Sequence, residues 1–174
     1  MLFARFDGGC DANPGGNGAC ACRITDHNRQ QVYLSSRYLG CGPKMSNNVA
    51  EFAGALLILE WLRDNDVTQH INIVGDSQTV IRRMKSWRIR KKMNGLYVPM
   101  AERCLAIIPS LKCPIVWSWQ PRQHNRLCDQ LCDEVLRKAR EPQRLEREAW
   151  LDVVARDRRS ADSNIGVEDA PKKS

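Results

Sequence analysis

Four acidic residues stand where the surrounding sequence pattern is apolar: Asp7, Glu51, Asp76 and Asp129. Two of them directly end apolar strand patterns, one lies in the first turns of an apolar helix pattern, and one lies among leucines and cysteines. Each alone has an ordinary interpretation as a turn, capping or solvated acid. Together they favour a shared site, because helices that pack near the ends of these strands would crowd the carboxylates and make them repel one another.

Divalent cations relieve such repulsion, and Mg²⁺ is the natural choice where oxygen ligands serve phosphate chemistry. Two such ions about 3.5–4 Å apart can activate a water molecule and stabilise the leaving oxygen of a phosphodiester. The four acids therefore predict a site for two Mg²⁺ ions, with phosphodiester hydrolysis as its chemistry.

The elements that must position these acids follow from hydrophobic periodicity. Apolar strand patterns cover residues 2–6, 19–26, 31–39, 70–75 and 113–121. Helical patterns cover residues 46–63, 77–84, 96–108 and 124–140. Three consecutive strands followed by alternating helices and strands predict an α/β fold, in which a mixed sheet is covered by helices.

Charge is distributed unevenly along the 174 residues, which carry a net charge of +7. Residues 1–140 hold 20 Lys and Arg against 12 Asp and Glu, whereas residues 141–174 hold 7 against 8. The basic part predicts a polyanionic partner. We expect residues 1–140 to form the catalytic domain and residues 141–174 to form a charged extension, with a short helix over 143–156 and a disordered end.

Eight cysteines fall in apolar segments without the spacing of a zinc site, so we interpret them as reduced core residues. The sequence has no basic leader followed by an apolar core, and no run of about 18 apolar residues. These features predict a soluble, cytoplasmic protein, and we expect it to be a monomer.

Four motifs resemble, in the same order, those of type 1 ribonucleases H. The segments “DGGCDANPGGNGA”, “NNVAEFAGALLIL”, “VGDSQTVI” and “HNRLCDQL” are similar to the family's DGS-x-x-x-NPG-x-x-G opening, NN-x-x-E helix, (T/G)DSQ strand end and N-x-x-x-D helix. The resemblance covers residues 1–140 and implies a ribonuclease H-like fold, with a five-stranded mixed sheet in the order 3-2-1-4-5 and helices on both faces. It also implies Mg²⁺- or Mn²⁺-dependent cleavage of the RNA strand of RNA–DNA hybrids. By motif, the catalytic and metal-binding acids are Asp7, Glu51, Asp76 and Asp129.

The resemblance further implies which residues contact the substrate. Those that would line the minor groove, where 2′-hydroxyl groups distinguish RNA from DNA, are the main chain at Gly9 and the side chains of Asn13, Asn47 and Gln78. Ser46 together with Asn13 resembles the pocket for a phosphate of the DNA strand. The glycine-rich turn beside Asp7 would let the backbone approach the nucleic acid closely.

A basic stretch, “RRMKSWRIRKK” (82–92), holds seven basic residues and no acid. In a chain with these motifs it favours a site for phosphates of the DNA strand, with Arg88, Lys91 and Lys92 as contacts, and its contribution should weaken as salt rises. The alternative interpretation is a solvated helix end whose tryptophan covers the core.

The sequence departs from the family pattern at a histidine that many members carry in a flexible loop before the last aspartate. Ten residues before Asp129 stands Trp119, and “WQPRQHNRLCD” instead resembles the compact version of some archaeal and plant-like members. We interpret His124 as a residue of the helix cap region, with a role as proton shuttle as the alternative.

The predicted function is an endonuclease in which water attacks the RNA phosphate in line and leaves 5′-phosphate and 3′-hydroxyl ends. One alternative is a module of the same fold that binds RNA–DNA hybrids with little or no turnover. Another is a related nuclease, such as a resolvase, or a domain of a reverse transcriptase. Against the reverse transcriptase, Met1 immediately precedes the first strand and no polymerase segment is present.

Overall fold

The computed structural model of the chain describes the backbone of residues 1–86 and 93–164, and their side chains except at residues 143 and 149–164. Five strands in these ranges form one sheet: β1 (Leu2–Asp11), β2 (Asn17–Thr25), β3 (Gln31–Cys41), β4 (Ile71–Gly75) and β5 (Ile115–Trp119). Their order is β3-β2-β1-β4-β5. The pairs β1–β2 and β2–β3 are antiparallel, whereas β1–β4 and β4–β5 are parallel. The predicted mixed sheet and its order are confirmed.

Four helices accompany the sheet: α1 (Asn47–Asp64), α2 (Gln78–Lys85), α3 (Val98–Ile107) and α4 (Arg126–Asn164). Short 3₁₀ turns cover Ile108–Ser110 and Arg122–His124. On one face, α1 contacts β1, β2 and α3. On the other face, the first part of α4 packs its apolar side chains on small residues of β2; the cluster comprises Ala19, Ala21, Cys128, Cys132 and Leu136. Helices on both faces are therefore confirmed.

The helix α1 forms the centre of the larger core. Ser46 caps its first turn by accepting a hydrogen bond from the amide of Val49. Its apolar residues are buried around most of its circumference, because α1 lies between the sheet and α3. Phe52 stacks on Tyr97 of the segment that precedes α3, with ring centroids 5.2 Å apart. This packing fixes the position of the helix that carries Glu51.

The glycine-rich stretch after Asp7 differs from the predicted long turn. The strand β1 continues to Asp11, so the turn to β2 occupies residues 12–16. A Cβ atom on Gly8 would lie 2.1 Å from the carbonyl carbon of Ala50 in α1. Gly8 therefore allows a helix to contact the strand directly.

The C-terminal helix is longer than the sequence pattern predicts. The pattern predicts a helix over 124–140 and a separate short helix over 143–156, whereas α4 is continuous to Asn164 and contains Pro142. Proline removes one backbone hydrogen bond from a helix, which is why the pattern favours a break there. The composition predicts a disordered end over residues 156–174, whereas α4 is helical through Asn164. Residues 165–174 lie outside the described residues.

Residue contacts divide the chain into two units, Met1–Arg137 and Lys138–Ser174. The first unit contains the whole sheet. In the second unit, Arg144 forms ion pairs with Glu141 and Glu148 along the same helix.

The eight cysteines are all free, and six are buried, as the sequence predicts. The other two differ, since Cys10 is partly exposed and Cys41 is exposed at the end of β3. Within residues 1–86 and 93–164, no helix is long and apolar enough to cross a membrane.

Candidate active site

Asp7 is a carboxylate inside the protein, with 6% of its surface exposed on β1. Its Oδ1 accepts a hydrogen bond of 2.8 Å from the amide of Gly8. Burial, followed by the negative charge of Asp76, raises the pKa of Asp7 from 3.8 to about 7. The site therefore disfavours a charge on this carboxylate unless a cation is near.

The direct contact between α1 and β1 brings the backbone of Glu51 close to β1 at Gly8. A Cβ atom on Gly54, one turn along α1, would lie 2.5 Å from the carbonyl oxygen of Asp7. Burial raises the pKa of Glu51 from 4.5 to about 7, while a hydrogen bond from the hydroxyl of Ser77 lowers it. The charge of Asp76 also raises this pKa, so Glu51 shares the electrostatic environment of Asp7.

Asp76 follows the last residue of β4 and precedes the cap of α2. The cap is Ser77, whose side chain accepts a hydrogen bond of 3.4 Å from the amide of Val80. The indole Nε1 of Trp119 donates a hydrogen bond of 2.8 Å to the main-chain carbonyl of Asp76. This bond ties the end of β4 to the end of β5 and fixes the backbone from which the Asp76 carboxylate extends.

Asp129 lies in the first turn of α4, which Asn125 fastens to the sheet. The side-chain amide of Asn125 donates a hydrogen bond of 2.7 Å to the carbonyl of Phe6, next to Asp7. The amide of Asp129 in turn donates to the carbonyl of Asn125 at 3.2 Å. A buried asparagine one helical turn earlier thus brings Asp129 towards Asp7.

The four acids and Arg122 form one electrostatic unit. The charges of Asp76 and Asp129 both raise the pKa of Asp7. Arg122 donates a hydrogen bond to Oδ1 of Asp129, and its positive charge lowers the pKa of both Asp7 and Glu51. The hydrogen bond to Asp129 also raises the pKa of Arg122 itself. The structure therefore brings together the acids that the sequence singled out, with a guanidinium as their counter-charge.

The chemistry of this donor set fits a hard cation. All four side chains offer carboxylate oxygens. Burial disfavours the ionised form of two of them, Asp7 and Glu51, and a bound cation would offset that cost. In the described part of the chain, no three His, Cys, Asp or Glu side chains are close enough to form a ready-made metal site. Because Arg122 pairs with Asp129, a divalent cation bound by Asp129 would have to displace that pair.

The predicted substrate contacts gather at the β1–β2 turn and the start of α1. Oδ1 of Asn47 accepts a hydrogen bond of 2.7 Å from the amide of Cys10, and Oδ1 of Asn13 accepts one of 3.0 Å from the amide of Asn47. Gly9 lies next to Cys10 on β1, and Ser46 caps α1 beside Asn47. The structure therefore places Gly9 and Asn13 beside Ser46 and Asn47.

Gln78 stands apart from this group, at the first turn of α2 after Asp76. It is exposed, and its Oε1 accepts a hydrogen bond of 2.7 Å from Arg82. The predicted contacts Arg88, Lys91 and Lys92 lie outside the described residues.

His124 is exposed in the 3₁₀ turn before α4, consistent with a residue of the cap region. Its ring nitrogen lies 3.4 Å from the side-chain amide of Gln123, and it lines a small cavity with Arg5 and Arg23. No hydrogen bond joins it to the four acids within the described ranges, so the geometry gives no support to a proton shuttle.

Several supporting interactions of this site are not evident from the sequence. Arg122 and Asn125 lie inside the quoted segment before Asp129, and the spacing of four residues between Asn125 and Asp129 is a helical signal that could have revealed the anchor. Ser77 is predicted to begin a helix, but its hydrogen bond to Glu51 is not predicted. The bond from Trp119 to Asp76 joins positions 43 apart in sequence, and no local pattern indicates it.

A family model described as reverse transcriptase-like matches residues 5–135 of the chain. A curated ribonuclease H from Prochlorococcus marinus (strain NATL1A) is 31% identical over 95 residues, which are 54% of this chain and 55% of that relative. The match thus spans about half the length of the curated relative.

Two solved structures are similar over most of the chain. An N-terminal RNase H domain from Mycobacterium tuberculosis, solved as a fusion with maltose-binding protein, has a TM-score of 0.70 at 21% identity and covers 82% of this chain and 97% of its own. At that identity the likeness shows the fold. LC11-RNase H1, isolated from compost by a metagenomic approach and solved in complex with an RNA/DNA hybrid, has a TM-score of 0.70 at 25% identity and covers 80% of this chain and 99% of its own.

Proposed function

The chain belongs to the reverse transcriptase-like family, has its RNase H-like fold, and we propose that it is an endonuclease that hydrolyses the RNA strand of RNA–DNA hybrids. The observation that carries this proposal is the electrostatic unit of Asp7, Glu51, Asp76 and Asp129. These acids lie on β1, on α1, directly after β4 and on α4, and two of them have a pKa of about 7. The structure of LC11-RNase H1 with an RNA/DNA hybrid supports the choice of substrate.

The four carboxylates would hold two Mg²⁺ ions, or Mn²⁺ in their place. When bound, such ions activate a water molecule and stabilise the charge that develops on the leaving oxygen. Asp7 and Glu51 must give up their protons for this role, because ligands to a cation have to be ionised. The hydrogen bonds that Gly8 donates to Asp7 and Ser77 donates to Glu51 favour the ionised forms and orient the oxygens.

Neighbouring side chains are suited to hold the hybrid over these acids. The Oδ1 atoms of Asn13 and Asn47 are engaged with the backbone, and their NH₂ groups have no hydrogen bond to described residues. Each is exposed and can donate to a phosphate oxygen or a 2′-hydroxyl group. Arg122, with 71% of its side chain exposed, can leave Asp129 and pair with a phosphate.

A cleavage assay tests the proposal. RNA–DNA hybrid, duplex RNA and duplex DNA of one sequence are incubated with Mg²⁺, and the ends of the products are mapped. We expect cleavage of the hybrid's RNA strand alone, with 5′-phosphate and 3′-hydroxyl ends. Asp76→Asn should lower the rate at least about 100-fold, which corresponds to about 2.7 kcal/mol of activation free energy.

Asp64→Asn is the matched control for the loss of one carboxylate. Asp64 is exposed at the end of α1 and pairs with Arg63 on the surface. This variant should cleave at the unmodified rate. Cleavage of duplex DNA in place of the hybrid, or equal rates for Asp76→Asn and the unmodified protein, would contradict the proposal.

A hybrid-binding module without turnover is the second candidate. One observation favours it: in the described residues no three ligands form a ready-made metal site. The same assay separates the two functions, since the module would bind the hybrid with equal affinity with and without Mg²⁺ and leave it intact.

A further inference from the structure

Two arginines face each other on neighbouring strands beside the candidate active site. Arg5 on β1 is the direct register partner of Arg23 on β2. Like charges directly opposite each other destabilise an antiparallel pair. Neither guanidinium forms a hydrogen bond or ion pair with a described residue, and the Nε atom of Arg23 is buried without a partner. This pair therefore lacks compensation for its charge within the described part of the protein.

Both arginines line a cavity of about 630 Å³ on the sheet face that α1 does not cover. Arg29 and His27, from the turn between β2 and β3, line the same cavity. No Asp or Glu is among its described lining residues. The nearest acid in sequence, Asp26, accepts two hydrogen bonds from the backbone of its own turn. The cavity thus concentrates positive charge.

A smaller cavity of about 200 Å³ continues from the same two arginines to the start of α4. Arg126 and His124 line it, again without an acid among the described lining residues. The N-terminal end of a helix adds partial positive charge to such a place. Positive side chains from two further parts of the chain, Arg29 in the β2–β3 turn and Arg126 at the start of α4, therefore line these cavities with Arg5 and Arg23.

The larger cavity also offers apolar and amide side chains that suit a nucleotide base. Its volume falls within the range of about 300–1,000 Å³ that is typical of ligand pockets. Phe3, with 39% of its surface exposed, and Val74 form an apolar wall. The side-chain amides of Asn72 and Gln120 lie at the same cavity and can form hydrogen bonds to a base edge.

We propose that these adjoining cavities bind a nucleotide, with its phosphate on Arg5 and Arg23 and its base against Phe3. A planar guanidinium can hold a phosphate with two parallel hydrogen bonds, and aromatic side chains stack on bases. The ligand is a free nucleotide or one nucleotide of an unpaired strand. Alternation along β1 places Arg5 and Asp7 on the same face, so an unpaired strand bound here would run towards the candidate active site.

Binding is measured by calorimetry and thermal shift, with AMP, inorganic phosphate and a short oligothymidine as probes. The unmodified protein should bind AMP or the oligothymidine, and Arg5→Gln and Arg23→Gln should each weaken that binding at least about tenfold. Without a probe, both variants should unfold at the same or a higher temperature, because one of two facing like charges is gone. Arg63→Gln removes a surface charge far from the cavities in sequence and serves as the control, with unchanged binding.

The arms of the experiment identify the source of the nucleotide. Binding of AMP as tight as that of the oligothymidine supports a free nucleotide, whereas binding of the oligothymidine alone supports an unpaired strand. The proposal is overturned if neither binds, if inorganic phosphate binds as tightly as AMP, or if both arginine variants bind like the unmodified protein. None of these readouts depends on cleavage, so the outcome is independent of the proposed nuclease function.

Discussion

At the scale of single residues, the candidate active site is a balance between four carboxylates and one guanidinium. Burial raises the pKa of Asp7 and Glu51. The positive charge of Arg122, which is hydrogen-bonded to Asp129, lowers both pKa values. The acids were predictable from the sequence because each interrupts an apolar pattern. Arg122 occupies the arginine position of the compact pattern that its segment resembles, but the sequence did not predict its pair with Asp129.

Replacement of Asp7 by asparagine should stabilise the protein at pH 8 in the absence of divalent cations. The folded state holds the proton of Asp7 up to about pH 7, whereas the unfolded chain loses it near pH 3.8. Stability therefore falls as pH rises between these values, and the neutral amide of the Asp7→Asn variant would not incur that loss. We expect a gain of about 1–4 kcal/mol at pH 8 and almost none at pH 4, measured by urea unfolding with a chelator.

The exposed acid Asp64 provides the control for this comparison, because its carboxylate is 59% exposed and pairs with Arg63. Asp64→Asn should show no pH-dependent gain. A lower stability of the Asp7→Asn variant at pH 8 would refute the claim that the folded protein disfavours the ionised form of Asp7.

Arg122 should compete with a divalent cation for the acids. The Arg122 side of its pair with Asp129 is 71% exposed, and pairs open to solvent contribute about 1 kcal/mol or less, so Arg122→Ala should tighten Mg²⁺ binding by up to about fivefold. Calorimetric titration of the protein with Mg²⁺ measures this. Arg63→Ala, which breaks a comparable surface pair with Asp64, should change nothing. Weaker Mg²⁺ binding by Arg122→Ala would show that the guanidinium supports the cation site instead of competing with it.

At the scale of secondary-structure elements, the site depends on close contact between α1 and β1. Strand and helix patterns predicted both elements, but not that they touch backbone to backbone. That contact is made through Gly8 and Gly54, and a glycine within a glycine-rich stretch is equally typical of a turn. The same ambiguity made the predicted turn too long, because the strand character of residues 8–11 comes from pairing with β2 and not from their side chains.

Gly8→Ala should separate these two elements. Its Cβ would lie 2.1 Å from the carbonyl carbon of Ala50 and 2.2 Å from the amide nitrogen of Glu51, and main-chain atoms cannot move aside. We expect a loss of about 3 kcal/mol or more in the free energy of unfolding, measured with urea.

The next residue of the strand offers a matched control. A Cβ on Gly9 would meet its nearest atom, Cδ1 of Leu136, at 3.4 Å, which is an ordinary contact. Gly9→Ala should therefore change stability by less than about 1 kcal/mol. Equal losses for the two variants would mean that the helix–strand contact does not set the position of α1.

At the scale of the whole molecule, the order of the elements predicted a mixed sheet covered by helices. The strand order and the helices on both faces came from the resemblance of four motifs to type 1 ribonucleases H. The register that sets Arg5 opposite Arg23 was not predicted, since the pairing of two strands depends on the turn between them and on packing. The extent of α4 was also missed. Pro142 is a strong local signal for a break, and the rest of the helix overrides it.

The central claim is that Asp7, Glu51, Asp76 and Asp129 form a site for divalent cations. Calorimetric titration with Mg²⁺ at pH 7, in buffers of different ionisation enthalpy, tests it most directly. Because Asp7 and Glu51 have a pKa of about 7, we predict saturable binding accompanied by proton release, both abolished by Asp76→Asn together with Asp7→Asn. No saturable binding at millimolar Mg²⁺, or the same binding by the double variant, would contradict the account.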